Sequence, residues 1–108
     1  MCGIVGVFNL NNQTVNRSVL KSMSNKIAHR GPDGQGYFLK DNIGLAHNRL
    51  AILDISNKGA QPMSSKNSRW TIVFNGCIYN FSELKQELKA KGHVFNSESD
   101  TEVICEGL

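Results

Sequence analysis

Apolar residues recur along the chain with two periods. The first run, Ile4-Val-Gly-Val-Phe8, is short and rich in β-branched residues, as a buried strand is. A polar turn follows at 9–13, and from Val15 the period lengthens. Val19, Leu20, Met23 and Ile27 share one face of a helix over 15–30, capped by Asn16 and stapled by Val15 and Leu20. That face is expected to be core. Gly31-Pro-Asp-Gly-Gln-Gly36 stops the helix. Two apolar runs, 37–40 and 43–55, flank Asp41-Asn42 and predict a hairpin leading into a long strand. Residues 56–69 are polar, contain Gly59 and Pro62, and predict a loop. Trp70–Phe74 reads as a strand stopped by the turn pair Asn75-Gly76. A second helix spans 80–92, with Asn80 and Glu83 at capping-box spacing, Phe81, Leu84 and Leu88 on one face, and Gly92 at its end. His93–Phe95 reads as a short strand. Ser99 and Glu102 form another capping box, so a third helix starts near Asp100. The order β, α, several β, α, short β, α gives an α+β class with a mostly antiparallel sheet.

Composition narrows the function classes. A chain of 108 residues is one domain at most, long enough for a modest core. The net charge of +3 comes from lysines and arginines scattered along the chain, without the dense block of a nucleic-acid footprint. No run approaches the roughly 20 apolar residues that span a bilayer. Cys2, Cys77 and Cys105 lie far apart with no zinc-ligand spacing, so no metal site is expected. Their odd number, without a signal peptide, points to reduced thiols and a cytoplasmic protein.

Five features carry candidate chemistry, each with a plainer reading beside it. Cys2 is either the buried lead-in to the first strand or, once Met1 is removed, a nucleophile bearing its own α-amine. The His29–Gly34 stretch is a helix stop and also a rigid turn. Arg49 sits in an apolar run and needs a partner, either a core carboxylate or a ligand carboxylate held in a bidentate fork. Asn75-Gly76 is either only a turn or a side-chain amide and a backbone N–H aimed at an oxyanion. Asp100 is a helix-start residue whose carboxylate can also hold a ligand ammonium. Together the set describes an amino acid attacked at its side-chain carbonyl.

Six motifs stand in the same order as in a known family: Cys2-Gly3-Ile4, His29-Arg30-Gly31-Pro32-Asp33, the His47–Asp54 run, Gly59-Ala60-Gln61-Pro62-Met63, Asn75-Gly76-Cys77-Ile78-Tyr79-Asn80 and Ser99-Asp100-Thr101-Glu102. The chain resembles the class II glutamine amidotransferases, and most of all the N-terminal glutaminase domain of glutamine-hydrolysing asparagine synthetases. The resemblance implies an N-terminal-nucleophile hydrolase fold, with antiparallel sheets between helical layers. It implies Cys2 as nucleophile with its α-amine as base, and Asn75 and Gly76 as the oxyanion hole. It implies Arg49 and Asp100 as anchors for the α-carboxylate and α-amine of L-glutamine. Leu50 and Ile52 are implied to line the pocket through backbone groups, with Gly3 small because the backbone passes close to substrate and sheet.

Two departures shape the expectation. Cys77 stands where asparagine synthetases usually carry a glutamate that contacts the substrate amine. It is expected near Cys2, and losing that carboxylate would cost on the order of 1.5–3 kcal/mol of binding. The family's domain is nearly twice as long and precedes an ATP-using synthetase domain. Residues 1–108 are therefore expected to be a truncated, N-terminal part of the domain. The expected partners are a synthetase domain or subunit that accepts ammonia and, through exposed sheet edges, a second copy in a homodimer. No cofactor is expected in this chain, ATP and Mg²⁺ belonging to the synthetase domain. A catalytically inactive domain that binds an amino acid or a partner chain is the alternative.

Overall fold

The computed structural model describes residues 2–108. Its elements are β1 (Gly3–Phe8), α1 (Arg17–Lys26), β2 (Gly34–Lys40), β3 (Ile43–Arg49), β4 (Met63–Ser64), β5 (Thr71–Ile72), α2 (Phe81–Ala90) and α3 (Asp100–Gly107), with short 3₁₀ turns at Ala28–Arg30 and Asn57–Gly59. Strands β1, β3 and β2 form an antiparallel sheet in that order, and β4 and β5 an antiparallel pair. Mixed helix and antiparallel sheet make the chain α+β.

Alternation along β3 organises the molecule. Ala46 and Asn48 point to one face of the sheet, His47 and Arg49 to the other. The first face takes α1. Leu20 packs against Val5 and Ala46, with Val7, Ile27, Tyr37 and Leu39 around them. Ser24 and Asn48, both fully buried, make a reciprocal pair: Asn48 Nδ2 donates to the Ser24 carbonyl (2.8 Å) and Ser24 Oγ donates to Asn48 Oδ1 (3.2 Å).

The inner stripe of α1 is therefore Leu20 and Ser24, continued by Ile27 just past its end. Val19 and Met23, expected in the core, are 51% and 41% exposed. Helical spacing places them beside the stripe, but the Ser24–Asn48 pair fixes the rotation and turns them outward. Asn16 caps α1 as expected, accepting from Ser18 N–H (2.8 Å). Gly3 is buried on this helix side, where a Cβ would lie 2.8 Å from the Ile27 side chain. Its small size serves the approach of α1, and not the substrate side as expected.

The 43–55 run leaves the sheet after Arg49. Asp33 then takes over from the ladder: its main-chain N–H donates to the Arg49 carbonyl and its side-chain Oδ2 accepts from Ala51 N–H, both at 2.9 Å. The 70–74 strand shortens to Thr71–Ile72, and the 56–69 loop contains its partner, Met63–Ser64. Residues 93–95 form no strand.

At the end of α2, Gly92 adopts φ +95°, while Gly92 N–H and His93 N–H donate to the Lys89 and Leu88 carbonyls. This is the left-handed glycine stop expected there. Asn80 makes no side-chain cap. Ser99 caps α3 through Thr101 N–H. Glu102 reaches further back than a capping box requires, accepting from Asn96 N–H, Ser97 N–H and Ser97 Oγ. That brace fixes the chain entering α3. No helix among the described residues is long and apolar enough to cross a membrane.

Candidate active site

On the face of β3 opposite α1 lies a cleft of about 430 Å³, within the usual size of small-molecule sites. Cys2, Arg49, Leu50, Ile52, Asn75, Gly76, Cys77 and Asp100 all line it. All eight residues picked out in the sequence are thus brought together from three parts of the chain: the lead-in to β1, the end of β3 with its following loop, and the segment from β5 to α3.

The Cys2 thiol meets the backbone just past β3. Its sulfur accepts from Leu50 N–H (3.3 Å) and lies 3.7 Å from the Leu50 carbonyl. Leu50 presents its main chain to that sulfur, while Ile52 is 74% exposed at the rim. Cys77 is exposed on the same cleft. Cys105 is elsewhere, buried on α3 with its sulfur 3.6 Å from the Met63 carbonyl, and burial pushes its thiol pKa up.

Arg49 is held by its own loop. Nη1 donates to the Ser56 carbonyl (2.6 Å) and Nη2 to the Asp54 carbonyl. These two bonds use two of its five N–H donors. Gly59 lies against the guanidinium, where a Cβ would meet Nη2 and displace it.

Asp54 braces this loop. Oδ1 accepts from Ser56 Oγ (2.5 Å) and Ser56 N–H (2.9 Å), and Oδ2 from Glu98 N–H (2.9 Å). The Ser56 hydroxyl first, then the Glu98 and Ser56 amides, hold its carboxyl down to about 2. The loop after Arg49 is thereby tied to the entry of α3. There Asp100 is 7% exposed, with Oδ2 accepting from Ile78 N–H (2.9 Å). That bond orients the carboxylate and draws the Asn75–Ile78 segment toward α3.

Two further polar residues that line the cleft, His47 and Gln61, had no role in the sequence reading. His47 is 1% exposed, with Nε2 3.3 Å from the Phe74 carbonyl and Nδ1 buried without a partner. Burial lowers its pKa, Arg49 lowers it further, and the Phe74 carbonyl opposes both. Gln61 accepts from Phe74 N–H (2.6 Å) and donates to Thr101 Oγ1 (3.1 Å). Each sits in a motif noted above, but as an ordinary polar letter whose partners are distant in sequence. Among the described residues, no group of three His, Cys, Asp or Glu side chains is placed to hold a metal ion.

Cys2, an amide-bearing turn, an arginine and a buried aspartate thus meet around one cleft. A profile of the glutamine amidotransferase domain matches residues 1–108, and the chain belongs to that family. It is 49% identical over 107 residues to asparagine synthetase (glutamine-hydrolyzing) 1 of Bacillus subtilis, covering 96% of this chain and 17% of that protein. Asparagine synthetase B (glutamine-hydrolyzing) of Escherichia coli is 40% identical over 105 residues, covering 96% and 19%. Asparagine synthetase (glutamine-hydrolyzing) 2 of Arabidopsis thaliana is 39% identical over 106 residues, covering 97% and 18%. The chain spans less than a fifth of the length of these relatives.

Proposed function

We propose that the chain carries the glutamine-hydrolysing site of an asparagine-synthetase-like amidotransferase, and that residues 1–108 are the N-terminal part of an N-terminal-nucleophile hydrolase domain. The observation that carries this is the convergence of all eight candidate residues on one cleft, with the Cys2 sulfur against the Leu50 backbone. In this reading Met1 is removed and the Cys2 α-amine takes the thiol proton. The thiolate adds to the side-chain carbonyl carbon of L-glutamine, and the oxyanion is met by the Asn75 side-chain amide and Gly76 N–H. The C–N bond breaks, the α-ammonium returns its proton to the leaving nitrogen, and ammonia departs. Water then adds to the thioester, and the C–S bond breaks to release glutamate and the Cys2 thiol. The free donors of Arg49 hold the substrate carboxylate, and Asp100 holds the ammonium. Cys77 supplies no second carboxylate for that ammonium, so glutamine binds more weakly than it would with glutamate there. Ammonia passes to a synthetase domain or subunit, which is where ATP and Mg²⁺ would act. The outer strand β1 offers a free edge for a homodimer.

The test is intact mass before and after a glutamine-mimicking diazoketone. Loss of Met1 and one adduct on Cys2 are expected, with Cys2→Ala unlabelled. Retained Met1, or a free but unmodified Cys2, would overturn the reading in favour of a non-catalytic binding domain.

A further inference from the structure

The turn that carries Asn75 and Gly76 has no sheet to hold it. Strand β5 ends at Ile72, so the Phe74 main chain lies outside any β ladder. Two buried side chains take both of its peptide groups. Gln61 Oε1 accepts Phe74 N–H at 2.6 Å, and His47 Nε2 faces the Phe74 carbonyl at 3.3 Å. With His47 neutral, Nε2 is the donor, and the buried, unpartnered Nδ1 is the bare acceptor. The two side chains converge on Phe74, and Gly36 makes room for the Gln61 backbone there. Gly36 pairs with His47 across the β2–β3 register, and a Cβ on it would overlap the Gln61 carbonyl. The Gln61 backbone thus lies directly over the strand beside His47. The other end of Gln61 donates to Thr101, the residue after Asp100. The Phe74 ring closes the arrangement, since a Cβ on Gly76 would lie 2.7 Å from it.

We infer that Gln61, with His47, is a positioning residue for the reaction: it clamps the Phe74 peptide and so sets the Asn75–Gly76 donors at a fixed distance from the helix that carries Asp100. The inference rests on the glutaminase reading for its kinetic consequence and on the hydrogen bonds alone for its structural one. Removing an oxyanion donor costs about 10²–10³ in kcat, so letting both donors drift is expected to cost about tenfold or more. Substrate affinity, set by Arg49 and Asp100, changes far less.

The experiment compares the full-length protein with its Gln61→Met and Gln61→Glu variants. Gln61→Met keeps the length and removes both hydrogen bonds. Gln61→Glu keeps an acceptor for Phe74 N–H and an oxygen that accepts from the Thr101 hydroxyl. Expected for Gln61→Met is at least a tenfold loss of kcat for glutamine hydrolysis with KM within about threefold, and unchanged alkylation of Cys2 by iodoacetamide, which uses no oxyanion donor. Gln61→Glu is expected to recover most of the loss. Amide hydrogen exchange is read in parallel, and Phe74 N–H is expected to be protected in the parent protein and released in Gln61→Met. An unprotected Phe74 amide in the parent overturns the clamp without any variant. Unchanged kcat despite release of that amide overturns the positioning role. Equal loss of kcat, Cys2 alkylation and melting temperature reduces Gln61 to a structural residue and also overturns it. A parent protein that hydrolyses no glutamine refutes the glutaminase reading instead, and the exchange measurement still decides the clamp.

Discussion

Asn48→Ala is the substitution whose cost follows most directly from the structure. Asn48 is fully buried, and both ends of its amide are bonded to Ser24. In the variant the Ser24 carbonyl keeps a bond from Ile27 N–H, but the Ser24 hydroxyl is left buried with no other acceptor. Leaving such a group unsatisfied costs about 1–3 kcal/mol, and the small cavity adds to that, giving about 2–4 kcal/mol in all. Against a domain stability of about 5–15 kcal/mol this is a large fraction. With a urea m-value of about 2 kcal/mol/M, the middle of the usual range, the unfolding midpoint falls by about 1–2 M. Ser24→Ala should cost less, because Asn48 Nδ2 still reaches the Ser24 main chain. The same change should cost almost nothing once Asn48 is alanine, a coupling of about 1 kcal/mol. Asn48 faces α1, so the folded fraction should alkylate Cys2 at the parent rate. A midpoint shift below about 0.3 M, or strict additivity of the two changes, would refute the reasoning.

Other outcomes follow from the braces around the cleft. The Asp54 carboxyl is held at about 2 against an ordinary 3.8, so its contribution is complete above about pH 4 and fades as pH falls toward 2. Amide exchange in residues 50–56 should rise over that range in the parent, and Asp54→Asn should show the looser loop already at pH 7. His47 works in the other direction of charge. Its pKa is depressed below 6.5, so the unfolded chain binds the proton more readily and stability falls as pH drops below 6.5. Urea midpoints between pH 7.5 and 5 should slope less in His47→Gln. Gly36→Ala should destabilise by about 1–3 kcal/mol through overlap with the Gln61 backbone, and an unchanged melting temperature would contradict that packing.

The parts legible in the sequence are those set by local chemistry. Asn16 and Ser99 as caps, Gly92 as a helix stop, and the hairpin around Asp41-Asn42 each depend on neighbours a few residues away, and the structure has all of them. Convergence of Cys2, Arg49, Asn75 and Asp100 was legible through motif order, which carries information that periodicity lacks. What stayed hidden was decided by distant partners. Val19 and Met23 carry the right period, yet one pair of hydrogen bonds to β3 rotates the helix away from them. Residues 50–55 and 73–74 have the composition of strands, but Asp33, Gln61 and His47 satisfy backbone groups there in place of a neighbouring strand. The distinction lies in who supplies the hydrogen bonds, and no window on the sequence contains both parties.

Strand β3 has a consequence for how errors are caught. Its alternate residues serve two masters: Ala46 and Asn48 seal the hydrophobic side, while His47 and Arg49 furnish the cleft. A slip of one residue in pairing exchanges the two sets. It would drive an arginine and an imidazole against Leu20 and expose the groups that lock α1. A molecule with a sound interior and a misassembled cleft is therefore not a stable alternative. Folding itself acts as the inspection step, and any chain that passes it has already set Arg49 opposite Cys2.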